Sequence, residues 1–144
     1  MGTWSWEQVT DFIAEQPRIG RLATAGKDAE PHVVPIWFRV SGDEIHIHSM
    51  RESGKTHNIL ENGRFSLVVD KDTAPYKGVT MRGAARVLSG GEFDWDELVR
   101  GLAVTYLGPE MGPGYGEYVA STEGEHVTLA LTPEDWEAWD YSQG

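Results

Sequence analysis

Cysteine is missing from all 144 residues, which removes disulfides, thiolate nucleophiles and zinc–thiolate sites together. No apolar run is long enough to cross a bilayer, so no membrane partner is expected. The start, Met1-Gly2-Thr3-Trp4-Ser5-Trp6-Glu7, has no basic stretch leading into an apolar one; no signal peptide and a cytoplasmic address are expected. Positive charge runs out after residue 86. Residues 1–86 carry 11 Lys or Arg against 11 Asp or Glu, whereas residues 87–144 hold only Arg100 against 12 acids. The net charge of −11 therefore belongs to the C-terminal part, which argues against a nucleic-acid partner. Any anionic ligand must find its counter-charges in the first 86 residues. Neither a Ser-His-Asp order nor a carboxylate pair suited to glycoside chemistry is present, so no residue is assigned as catalytic.

What remains is an ordinary composition, 40% hydrophobic and 24% charged, sufficient for one domain over residues 1–144. Residues 5–16 read as a helix, with capping-box spacing at Ser5 and Gln8 and Trp6, Val9, Phe12 and Ile13 on one face. Strands follow at 19–25, 31–40, 44–48, 64–70, 77–88 and 127–131, separated by turn signals such as Gly26-Lys27-Asp28 and Ser41-Gly42-Asp43. Pro35 inside the second strand marks an edge, a bulge or a ligand-facing break, and Gly83 marks a bulge. Residues 93–107 read as a helix. Gly108-Pro109-Glu110-Met111-Gly112-Pro113-Gly114-Tyr115-Gly116 reads as an irregular loop and potential lid, and Pro133 opens a tail with Trp136, Trp139 and Tyr141. The expected class is mainly β (α+β): a small six-stranded antiparallel barrel with flanking helices.

The segment Ser49-Met50-Arg51-Glu52-Ser53-Gly54-Lys55-Thr56 runs from a strand into a short helix at 55–61. It sets backbone amides, hydroxyls and a lysine at a helix N-terminus, as a bound phosphate requires. Ser49 stands where a nucleotide-binding P-loop needs glycine, and Asp70 alone would serve magnesium, so nucleotide hydrolysis is a distant rival in an all-β context. Lys55 is read as the phosphate's counter-charge, with Arg51 either a second contact or a surface residue. His46 and His48 share a strand face, with His32 as a candidate third ligand, but no carboxylate or cysteine completes a metal set. Trp37, Trp136 and Trp139 either stack on a flat ligand or fill core.

The order of several segments resembles the split β-barrel flavoproteins typified by pyridoxamine 5′-phosphate oxidase. They are Gly20-Arg21-Leu22-Ala23-Thr24, Pro31-His32-Val33-Val34-Pro35-Ile36-Trp37-Phe38, Ser53-Gly54-Lys55-Thr56-His57-Asn58-Ile59-Leu60, Tyr76-Lys77-Gly78-Val79 and Gly83-Ala84-Ala85. The resemblance covers roughly residues 8–90, and Trp139-Asp140-Tyr141 is similar to the tail of members using the deazaflavin F-420. It implies an FMN-binding type of split barrel that dimerises, with FMN or F-420 held non-covalently across the interface of a homodimer. His32, Val33, Val34, Pro35, Ile36 and Trp37 would line the ring, and His48 and Ser49 the ring edge and ribityl chain. Ser53, Lys55 and Thr56, with Arg51, would clamp the phosphate, and Lys77, Gly78 and Val79 would meet the ring's polar edge. The implied activity is an oxidoreductase passing hydride between the cofactor and a small conjugated substrate. The implied alternative is a flavin, deazaflavin or haem carrier, with His32, His48 and His57 as axial candidates. Gly54 replaces an arginine of the pyridoxamine phosphate oxidases, Lys77-Gly78 replaces their Arg-Gln, and the arginine-rich C-terminal segment is missing. The namesake substrate is therefore not expected, and the non-arginine clamp and Trp-Asp-Tyr tail point toward F-420.

Overall fold

In the computed structural model, which describes residues 3–89 and 93–143, Ser5 caps the first helix by both halves of a capping box with Gln8. This helix, α1 (Trp6–Ala14), buries Val9, Phe12 and Ile13, the face that its periodicity predicts. Seven strands follow: β1 (Gly20–Ala25), β2 (Pro31–Ile36), β3 (Arg39–Ser41), β4 (Glu44–Met50), β5 (Arg64–Lys71), β6 (Lys77–Leu88) and β7 (His126–Asp140). Helices α2 (Gly54–Asn62) and α3 (Trp95–Ala120) interrupt them, and a short 3₁₀ turn (Tyr141–Gln143) ends the described chain.

All seven strands join one antiparallel sheet in the order β2-β1-β5-β6-β7-β4-β3. The expected closed six-stranded barrel is corrected here. The run 31–40 divides in two, and its halves become the two opposite edges of an unclosed sheet. Only Trp37 and Phe38 separate β2 from β3, so those edges stand within about 11 Å of one another along the chain. The sheet must curl to allow this, and its concave side holds the core of Leu22, Ile45, Ile47, Leu67, Val69, Val79, Met81, Leu129 and Leu131 with α1. Pro31 and Pro35 sit on edge strand β2, where a missing N–H costs no ladder bond.

Two further expectations change. β7 does not stop at Leu131; it runs fifteen residues and pairs along all of β6. Pro133 pairs with Gly83 beside the skipped residue Glu134, where the ladder shifts register, and such a bulge is one of the few places a strand accommodates proline. The glycine- and proline-rich stretch 108–116 is helix rather than loop. Gly108 adopts φ 90°, ψ 171° and breaks α3 into two halves. Pro109 then opens the second half, where a first-turn residue needs no N–H partner. Gly112 and Gly116 let the halves cross closely: a Cβ at 112 would stand 2.5 Å from Val104 Cα, and one at 116 would stand 3.2 Å from Arg100 Cα. Arg100 ties the hairpin by donating to Asp96 and, at 2.6 Å, to Glu117. No described helix is long and apolar enough to cross a membrane.

Candidate functional site

β4 carries His48 and Ser49 to the turn that starts α2, and there three hydroxyls knot together. Ser49 Oγ lies 2.8 Å from both Ser53 Oγ and Thr56 Oγ1, and Ser53 Oγ lies 3.0 Å from Thr56 Oγ1. Ser53 is the N-cap of α2 and accepts from the Thr56 amide, while Thr56 Oγ1 donates to the Met50 carbonyl at 2.8 Å. Thr56 is wholly buried and Ser49 nearly so. These groups hold the turn rigid. The surface left for an anion is the Lys55 ammonium with the amides of Gly54 and Lys55, which precede the first hydrogen bonds of the helix.

Lys55 projects into a cavity of about 420 Å³, within the roughly 300–1,000 Å³ usual for small-molecule sites. Pro35, Ile36 and Trp37 form one wall, Ile47 and His48 the floor strand, and Val99, Leu102, Tyr115 and Val119 from both halves of α3 the cover. Among the described residues no acidic side chain lines it, and none brings a carboxylate within ion-pair distance of Lys55. Burial alone pushes the ammonium's pKa down, because nothing nearby compensates lost water. Trp37 stacks on Tyr106 (centroids 5.0 Å apart, 9° between planes) and tilts against Tyr115 at 5.7 Å. The Tyr106 hydroxyl donates to the Arg18 carbonyl at 2.7 Å and accepts from the Phe38 amide at 3.2 Å, fixing the stack to the β2–β3 link. Burial raises the Tyr106 pKa against a smaller lowering by its bond to Phe38. At His48, burial first, then the charges of His126 and Lys55, bring the pKa down to about 4.

The structure thus gathers Pro35, Ile36, Trp37, His48 and Lys55 in one cavity. His32 lies just outside, its ring against Gly54 at the head of α2, with Nδ1 buried and unpartnered. Val33 points outward and is 64% exposed, and Val34 packs on the core. Arg51 sits in the turn, its amide held by the Glu125 carbonyl at 2.8 Å. Lys77, Gly78 and Val79 are elsewhere. Val79 is core, Gly78 backs onto Trp139, and Lys77 lines a separate groove of about 800 Å³. That larger groove suits an anion less well, since Arg18, Arg21 and Lys77 already face Glu15, Asp70 and Asp140 at 2.7, 4.0 and 3.9 Å. Trp136 and Trp139 belong to β7, where Trp136 donates to the Trp4 carbonyl. His46 is buried against Glu44 and Phe93, and the described residues contain no group of three metal-ligating side chains.

The stretch read as a potential lid supplies Tyr115 to the cover; sequence reasoning missed Val119 beside it, Tyr106 as brace, and His126, which touches His48. Nothing local signals His126, which meets His48 across 78 positions.

Comparison with known proteins agrees with this architecture. A reductase of Streptomyces rimosus acting on 5a,11a-dehydrotetracycline and 5a,11a-dehydrooxytetracycline is 36% identical over 80 residues, 50% of this chain and 56% of the relative; the match thus spans little more than half of that protein. Among solved structures, the conserved hypothetical protein Rv2991 of Mycobacterium tuberculosis superposes with TM-score 0.74 at 23% identity, covering 96% of this chain and 86% of its own. An F420 reductase superposes with TM-score 0.68 at 20% identity, covering 88% and 94%. These two show the shared fold. The family model described as pyridoxamine 5′-phosphate oxidase matches residues 5–140, nearly the whole sequence, and the chain belongs to that family.

Proposed function

We propose that this chain is a cofactor-dependent oxidoreductase that holds FMN or F-420 non-covalently in the cavity beneath α3 and acts on a small conjugated molecule. The observation that carries the reading is Lys55: a half-buried ammonium in a largely apolar cavity with no acid among the described residues, at the amide-bearing end of a helix. Such a charge is unfavourable until an anion arrives, and both cofactors carry a phosphate group. When bound, the cofactor supplies hydride exchange at its central ring position. Lys55 and the first amides of α2 neutralise and orient the phosphate. Trp37 and Tyr115 offer flat faces to a planar ring, and Ile36, Ile47, Val99 and Leu102 exclude water. A fused-ring substrate is proposed because the Streptomyces relative acts, by its name, on dehydrotetracyclines.

We further propose that the active form is a homodimer. Exposed Val33 on edge strand β2 would be covered there, and the groove at Lys77 would be supplied to a neighbouring copy's site. Titration of the purified protein with FMN and, separately, with F-420, followed by ligand fluorescence, tests the reading. Binding in the micromolar range or tighter by one cofactor supports it, and failure of both overturns it.

A further inference from the structure

With both imidazoles neutral, the hydrogen bonds around His48 have only one arrangement of protons that satisfies them. His126 Nε2 lies 2.8 Å from the Thr122 carbonyl oxygen, and a carbonyl only accepts, so His126 carries its proton on Nε2. The neutral ring then has a lone pair at Nδ1, which lies 2.9 Å from His48 Nε2. His48 must donate that bond and is itself protonated on Nε2. Its remaining nitrogen, Nδ1, is left as an acceptor, and it is not among the buried unpartnered atoms. His48 lines the cavity beside Lys55 and Trp37.

The relay is held from two sides. Trp95, at the start of α3, stacks on His126 with centroids 4.0 Å apart and planes 11° apart. Thr122 belongs to the turn that ends the same helix hairpin. The hairpin that roofs the cavity therefore also fixes the tautomer of a residue inside it. A second proton on His48 is disfavoured by burial and by the neighbouring His126 and Lys55, so the acceptor persists at neutral pH.

We propose that His48 is a specificity-determining residue that accepts, at Nδ1, a hydrogen bond from a ligand O–H or N–H, its tautomer set by His126 and the Thr122 carbonyl. The ligand chemistry selected is an anion for Lys55 joined to a nearby hydroxylated or N–H-bearing portion, as in a phosphorylated polyol chain. This rests on the cofactor-binding reading for the ligand's identity but not for the tautomer.

The first test needs no ligand. Long-range ¹H–¹⁵N spectra of labelled protein at neutral pH, assigned with His48→Asn and His126→Leu, are expected to show both imidazoles protonated on Nε2. In His126→Leu, His48 should relax to exchanging tautomers. A wild-type His48 protonated on Nδ1, or already exchanging, overturns the proposal whatever the cofactor. The second test is binding of FMN and F-420. His48→Asn, whose side-chain oxygen can replace Nδ1 as acceptor, should stay within about threefold of wild type, while His48→Leu should bind about tenfold more weakly. Equal affinity of wild type and His48→Leu overturns the ligand contact while leaving the cofactor reading standing. If wild type binds neither cofactor, the cofactor reading falls and the ligand half of this proposal falls with it.

Discussion

Replacing Lys55 with methionine should weaken function and strengthen the fold at once. Methionine keeps the apolar stem and removes the ammonium. Because burial lowers the Lys55 pKa, the charged form is less favourable in the folded chain than in the unfolded one, and its removal relieves that cost. We expect stability to rise, read as a higher Tm of the ligand-free protein. The ligand side has the opposite sign. A hydrogen bond between an ammonium and a phosphate contributes about 1.5–3 kcal/mol, so FMN should bind roughly 10- to 150-fold more weakly. Riboflavin, which lacks the phosphate, should change by less than about threefold. The assay is parallel fluorescence titration of wild type and Lys55→Met with both ligands, together with thermal unfolding of the ligand-free proteins. Equal losses for FMN and riboflavin would refute the phosphate assignment. A lower Tm would refute the argument that the ammonium is held against the interests of the fold.

Acidification supplies another expectation. His48 has a folded pKa of about 4 against an ordinary 6.5, so between those values the unfolded chain takes up a proton that the folded one refuses. The stability contributed above pH 6.5 is lost as pH falls, reaching about 3 kcal/mol at pH 4, and urea unfolding should show a shallower loss over that window in His48→Leu. In the helix hairpin, Gly112→Ala places a Cβ 2.5 Å from Val104 Cα and 2.8 Å from the Ala103 carbonyl oxygen. It should destabilise by about 1–3 kcal/mol. Gly114→Ala meets nothing within 4 Å and should stabilise by about 0.5–1 kcal/mol; thermal melts of the pair separate packing from propensity. Ser53→Ala removes the cap of α2 and two of the three links in the hydroxyl knot, and should cost about 1 kcal/mol in chemical denaturation while also weakening FMN binding.

Much of the local architecture was legible because its causes are local. The Ser5–Gln8 box, the Gly42 turn and the strands at 64–70 and 77–88 are each decided by residues a few positions apart, and each stands where expected. The break at Gly108 was also readable, since a positive φ there suits glycine alone. That helix resumes beyond it was not, because Gly and Pro at 109–116 have poor helix propensity and only the packing of Gly112 and Gly116 on Val104 and Arg100 repays it. Likewise Pro133 marks an end of strand to any local reading. The register shift that accommodates it lies fifty positions earlier, at Gly83.

The sequence by itself determined that a strand would hand its chain to a capped helix with Lys55 in the first turn, and that no thiol or arginine-rich clamp could share the task. The tertiary structure decided what surrounds that lysine. The curl of the sheet brings Trp37 to it, the α3 hairpin lays Tyr115 and Val119 above it, and β7 returns His126 to fix the protons of His48. Whether an ammonium is ordinary or poised depends on whether acids stand within a few ångströms, and that is a property of packing rather than of order along the chain.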